Sequence, residues 1–144
     1  MIRLTILLGL VGLGAAACFK AEARPAPAPE EIRVADAAPS AVLINASEFR
    51  LDLTTHTAKA GTVDFVVRND GRQEHEFVVV PVRDDRYGMP LGEIEAFAAG
   101  QTRALRAQLA PGKYTFVCLI VSDVHGQPKS HMSLGMKTDF EVTP

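Results

Sequence analysis

From residue 41 onward the sequence runs in short stretches of alternating apolar and polar residues, punctuated by glycine, proline and asparagine, and no stretch sustains a helical period. A strand turns successive side chains to opposite faces, so this alternation buries one face and leaves the other to water. Phe49, Leu51 and Leu53 alternate with Arg50 and Asp52. Val63, Phe65 and Val67 come next and end at the turn sequence Asn69-Asp70-Gly71. Leu105, Ala107 and Leu109 alternate with Arg106 and Gln108, and Phe140 and Val142 with Asp139 and Glu141. Residues 77–82 are almost continuously apolar, as in a strand covered on both faces. Val42 and Ile44 lie on the opposite parity to Phe49, which predicts a bulge or bend near residues 46–48. Pro111-Gly112 turns the chain into residues 114–119; residues 83–90 read as a loop, and residues 93–97 as a short strand or a single helical turn. Many short strands with turn residues between them predict an all-β sandwich or barrel.

The start of the chain has a different character. Arg3 is the only charge before a run of apolar residues from Leu4 to Ala17, shorter than the ~20 residues a membrane span needs. With small residues at its end, this reads as a signal peptide over residues 1–17. Cys18 directly after Ala15-Ala16-Ala17 resembles a bacterial lipoprotein lipobox, which implies a lipid on Cys18 and a membrane anchor; plain cleavage with Cys18 left free is the alternative. Residues 18–40, with the run Arg24-Pro25-Ala26-Pro27-Ala28-Pro29, read as an extended tether. One domain is expected over residues 41–144, exported to the periplasm or cell surface and monomeric. The 15 basic and 17 acidic residues form no run or stripe, which argues against nucleic-acid binding.

The two cysteines are Cys18 and Cys118. If Cys18 carries a lipid, Cys118 has no disulfide partner, and an unpaired thiol in an oxidising compartment calls for a use. An inert buried thiol, or a Cys18–Cys118 disulfide, are the plainer readings. Three other side chains complete a chemical set with Cys118: His75, His131 and Met136. Two imidazoles, a thiolate and a thioether suit copper, because soft sulfur ligands hold Cu(I) and imidazole also suits Cu(II). His75 opens a strand after the turn at Asn69, Cys118 ends the penultimate strand, and His131 and Met136 precede the last one. A sandwich can bring those two regions to one end. The chain shows no His-Glu-x-x-His, no nucleophile elbow, no phosphate-binding glycine loop and no paired-cysteine zinc spacing, so no enzyme class is indicated.

The stretch Lys59-Ala60-Gly61-Thr62-Val63-Asp64-Phe65-Val66-Val67-Arg68-Asn69-Asp70-Gly71, followed by His75-Glu76-Phe77, resembles the cupredoxin family, in which a strand and an asparagine turn present the first copper histidine. Pro111-Gly112-Lys113-Tyr114-Thr115-Phe116-Val117-Cys118 and His131-Met132-Ser133-Leu134-Gly135-Met136 are similar to that family's approach to the copper cysteine and its closing segment. The resemblance implies a Greek-key β-sandwich of the cupredoxin type holding one copper ion per chain. His75, Cys118 and His131 would be the strong ligands, with Met136 axial. It implies a one-electron carrier, not an enzyme, that leaves its electron through the histidines to a redox protein partner. It also implies that Asn69 holds the ligand loop through backbone hydrogen bonds.

The family usually places only a few residues between the cysteine and the second histidine; here residues 119–130 intervene. His125 within that insertion is an alternative ligand to His131, although the His-x4-Met spacing starts at His131. The insertion, with His125 and Met132, also leaves open copper handling, in which Cu(I) is delivered to an acceptor protein. A metal-free interaction domain is the third reading. His56 is expected on a surface loop, Met89 and Met132 in the core, and Glu74 and Glu76 facing solvent.

Overall fold

A computed structural model of the protein describes residues 26–144. The signal segment, Cys18 and the beginning of the tether lie outside the described residues. The strands in order are β1 (Glu30–Ile32), β2 (Val42–Ser47), β3 (Arg50–Leu53), β4 (Thr57–Lys59), β5 (Gly61–Asn69), β6 (His75–Arg83), β7 (Arg86–Tyr87), β8 (Gly92–Phe97), β9 (Thr102–Leu109), β10 (Gly112–Val117), β11 (Val121–Val124), β12 (Gln127–Ser130) and β13 (Lys137–Thr143). One sheet is ordered β1-β9-β5-β2-β3. The other is ordered β4-β13-β10-β6-β7, with β8 sharing the β6 edge. The pairs β2·β5 and β13·β4 are parallel and the others antiparallel, so the chain crosses between sheets, and the fold is a β-sandwich of the cupredoxin type.

The alternation seen in the sequence becomes the filling of this sandwich. Phe65 of β5, Phe77 of β6, Phe116 of β10 and Phe140 of β13 meet in its centre, with ring centroids 4.9–5.9 Å apart for the pairs in contact. Tilted and edge-on aromatic pairs at this spacing gain somewhat beyond their buried area. Residues 77–80 are indeed buried on both faces: Phe77 and Val79 point into the core, while Val78 and Val80 join Val117 in a second apolar cluster beneath Met132 on the outer face.

The structure resolves three local expectations. The parity change after Ile44 comes from a tight hairpin, with Ser47 paired to Arg50, and not from a bulge. Residues 83–90 are a hairpin loop containing β7, turned by Asp84 and Asp85 at φ 50° and 57°, and the segment to Phe97 is the strand β8. Met89 is 83% exposed and fills no core, whereas Met132 packs as expected and His56 lies exposed on its loop.

The domain boundary expected at residue 41 moves toward the N-terminus. β1 pairs with β9 from Glu30↔Arg106 to Ile32↔Ala104, and a short helical turn over Val34–Asp36 follows. Composition hid this because a strand edge is joined by backbone hydrogen bonds, which need no apolar side chain. A charge pair secures the segment. Asp64, with a side chain 1% exposed, accepts two hydrogen bonds from Arg106 at 2.7 and 2.8 Å and a third from the Ala38 N–H at 2.7 Å.

The Arg106 guanidinium holds the Asp64 carboxyl below its ordinary value of 3.8; burial opposes this, and the Ala38 N–H assists it. The stabilisation is therefore fully present above the unfolded carboxyl's pKa and is lost as pH falls through the lower folded one. Arg106→Ala should cost about 2 kcal/mol at neutral pH, the scale of a buried group left without its partner. In urea unfolding that penalty should shrink in acid; a penalty independent of pH would mean that Arg106 contributes only packing.

Candidate metal centre

Inward parity carries the core directly into the site. In β6 the inward series is His75, Phe77, Val79; in β10 and the residue after it, Tyr114, Phe116, Cys118; in β5, Val63, Phe65, Val67, Asn69. His75, Cys118 and Asn69 are thus the last inward positions at one end of the sandwich, each 0% exposed. His131 reaches the same end from the other side of the connection between β12 and β13. A single helical turn, Met132–Leu134, and Gly135 at φ 113° return the chain so that the Met136 N–H donates to the His131 carbonyl at 2.9 Å. Met136 is fully buried there, and its carbonyl accepts from the Cys118 N–H at 3.2 Å.

The ligating atoms of His75, Cys118 and His131 all lie within 4.8 Å of one another. The two Nδ1 atoms are 3.3 Å apart, and His131 Nδ1 is 3.4 Å from Cys118 Sγ. Ligands sharing one ion through bonds of about 2.0–2.3 Å lie roughly 3–4 Å apart, so the cluster has the dimensions of a coordination triangle. Its protonation suits the same use. Burial lowers the pKa of both histidines, that of His131 further through its neighbour His75, while the Glu48 carboxylate opposes the shift; the net direction favours neutral imidazoles. Burial also pushes the Cys118 thiol up. The proton would leave when a metal ion takes the thiolate. The Glu76 N–H donates to Cys118 Sγ at 3.5 Å. The side-chain chemistry and spacing fit a single copper ion.

His125, the alternative ligand, sits exposed at the β11–β12 turn with φ 55°, outside the cluster. His75 and His131 are both 0% exposed, so both rings are closed off from solvent.

Asn69 does for the loop what the resemblance implied. Its Nδ2 donates to the carbonyls of Gln73 at 2.8 Å and Phe97 at 3.0 Å, and its Oδ1 accepts from the Gly71 N–H at 2.9 Å. That ties the turn before His75 to the end of β8.

Four residues around the cluster escaped sequence reasoning. Glu48, in the β2–β3 turn, lies 3.6 Å from His75 Nε2, a buried nitrogen with no hydrogen-bond partner. That separation is too long for a hydrogen bond. Burial pushes the Glu48 carboxyl up, but the N–H groups of Arg72 and Gln73, at 2.6 and 2.8 Å, outweigh it and hold the group below its usual range. Gly71 is required for this approach, since a Cβ there would stand 2.7–2.9 Å from the Glu48 carboxylate and His75 Nε2. Phe49 meets the His131 ring edge-on, with centroids 4.8 Å apart. Ser122 Oγ is 2.8 Å from His131 Nε2. Glu76, expected to face solvent, instead turns back to accept from the Leu119 N–H, the residue after Cys118. Burial raises its pKa despite that hydrogen bond, and Glu93 and Glu95 add to the rise. No local pattern marks Glu48, Phe49 and Ser122; Glu76 stands beside His75 in the sequence, but its spacing does not reveal the bond to Leu119.

Comparison with known proteins agrees with this architecture. No curated protein sequence matches the chain. Auracyanin B superposes with a TM-score of 0.59 at 21% identity over 81% of this chain and 99% of its own. A dithionite-reduced auracyanin from Roseiflexus castenholzii gives 0.56 at 20% identity over 71% of this chain and 95% of its own. Auracyanin A, a "blue" copper protein from Chloroflexus aurantiacus, gives 0.54 at 20% identity over 72% of this chain and 98% of its own. These likenesses concern the fold. The family match spans residues 9–127, which takes in His75 and Cys118 and stops short of His131 and Met136. With most of its length matched to the cupredoxin-like domain, and with a sandwich that gathers two histidines and a cysteine at one end, the chain belongs to the cupredoxin-like family.

Proposed function

We propose that the protein is a mononuclear, type 1-like copper protein that carries single electrons at the bacterial cell envelope. His75, Cys118 and His131 would be its strong ligands and Met136 its axial one. The observation that carries this reading is the buried convergence of two imidazole nitrogens and a thiol at the end of the core. One copper ion held there would supply a one-electron couple. The chain's own residues would supply soft and borderline ligands together, a dry enclosure and a fixed geometry, which limit rearrangement between oxidation states. The auracyanin likeness lends support, since one of those proteins is described as a blue copper protein.

Copper handling is less favoured. The insertion that suggested it is an ordered hairpin, His125 lies away from the cluster, and Met132 packs on the outer face of the sheet. The proposal includes export by residues 1–17 and a lipid on Cys18. Among the described residues no helix is long and apolar enough to cross a membrane. A redox protein would be the partner.

Loading the purified protein with Cu(II) should give an intense sulfur-to-copper charge-transfer band and a narrow copper hyperfine splitting. Cys118→Ala should lose both; a pale Cu(II) spectrum in the parent protein would instead favour handling or a metal-free role. Gly71→Ala, which forces the Glu48 carboxylate away from His75, should weaken copper binding about tenfold or more in chelator competition, the usual scale for residues that orient ligands. For location, the full chain expressed in a bacterium should partition with membranes and Cys18→Ala should be released. Equal partitioning of the two would remove the lipid anchor from the proposal.

A further inference from the structure

The segment between Cys118 and His131 is longer than closure requires. The Met132 N–H already donates to the Cys118 carbonyl at 2.8 Å and the His131 N–H to the Ile120 carbonyl at 2.8 Å, so the two ends of the segment are in contact. The intervening residues form the β11–β12 hairpin, paired from Val121↔Ser130 to Val124↔Gln127 and belonging to neither main sheet. A side chain from the base of that hairpin, Ser122, reaches the outer nitrogen of His131.

The hydrogens there can be counted. A serine hydroxyl has one proton to donate. Ser122 Oγ lies 3.2 Å from Gln73 Oε1 and 2.8 Å from His131 Nε2. With its proton given to Gln73 it accepts from His131, and in that arrangement Nε2 carries the imidazole hydrogen. Nδ1 is then left with a bare lone pair, and it is Nδ1 that faces Cys118 Sγ and His75 Nδ1. Phe49 covers another edge of the same ring, which has no solvent exposure.

We propose that the β11–β12 hairpin is a latched cover over the metal centre, with Ser122 as a positioning residue that fixes His131 in the metal-binding tautomer and shuts its outer edge from water. The metal-binding part of this inference rests on the copper reading above; the tautomer does not. Two consequences follow for a copper-loaded protein. The ring would need no tautomeric change to bind, and lifting of the hairpin would open a way out for the ion.

The test compares the full wild-type chain with Ser122→Ala and Ser122→Thr. Ring-nitrogen NMR shifts of His131, recorded without metal in mildly alkaline buffer, should show a protonated Nε2 and a bare Nδ1 in the wild type. They should show a mixture of tautomers in Ser122→Ala and the wild-type pattern again in Ser122→Thr. After copper loading, transfer of copper to an excess of chelator should be tenfold faster or more in Ser122→Ala and restored in Ser122→Thr. A protonated Nδ1 in the wild type, or an unchanged tautomer in Ser122→Ala, would overturn the proposal. A locked ring in a protein that takes up no copper would uphold the latch and defeat the electron-carrier reading.

Discussion

A strand buries every second side chain, and the candidate metal centre continues that rule past the last apolar residue. Phe77 is followed inward by His75, Phe116 by Cys118, and Val67 by Asn69, so the same parity that fills the sandwich also delivers two ligand-type residues and the asparagine that holds their loop to one place. A shift of one residue in any of these strands would turn its whole inward set to the opposite face of the sheet. The register of the core and the position of the cluster are therefore one constraint. The central phenylalanines, in contact across both sheets, set that register.

Placing two imidazoles, a thiol and an amide where phenylalanines would otherwise continue is costly, because a buried polar group without a partner loses about 1–3 kcal/mol. The structure offsets this group by group. Asn69 makes three hydrogen bonds, His131 meets Ser122, and Cys118 receives the Glu76 N–H. Among the described residues His75 Nε2 alone is a buried side-chain nitrogen or oxygen without a hydrogen bond, with the Glu48 carboxylate beside it. A carboxylate close to the outer nitrogen favours a hydrogen on that nitrogen and leaves a bare Nδ1 facing the cluster. The two histidines thus receive the same polarity by different means, a charge for His75 and a hydroxyl for His131.

Most strands could be read directly from the order of residues, since alternation, turn residues and inward parity are local. The four ligand candidates could be read as well, because their chemical types are rare together and their positions relative to strand ends are local too. β1 was missed because backbone pairing leaves no compositional trace, and Glu76 was misplaced because its side chain folds back onto an amide across the sheet. Ser122 has no distinguishing sequence context, and only the hairpin brings it to His131.

By itself, then, the sequence determined an all-β fold of sandwich or barrel type, the family resemblance and the chemical types of the candidate ligands, all of which depend on residue types and local spacings. The tertiary structure alone decided that His131 and not His125 joins the cluster, that Glu48, Phe49 and Ser122 surround it, and that the insertion closes over it. Those outcomes depend on contacts between residues far apart in the chain, where the path of one loop settles which atoms meet.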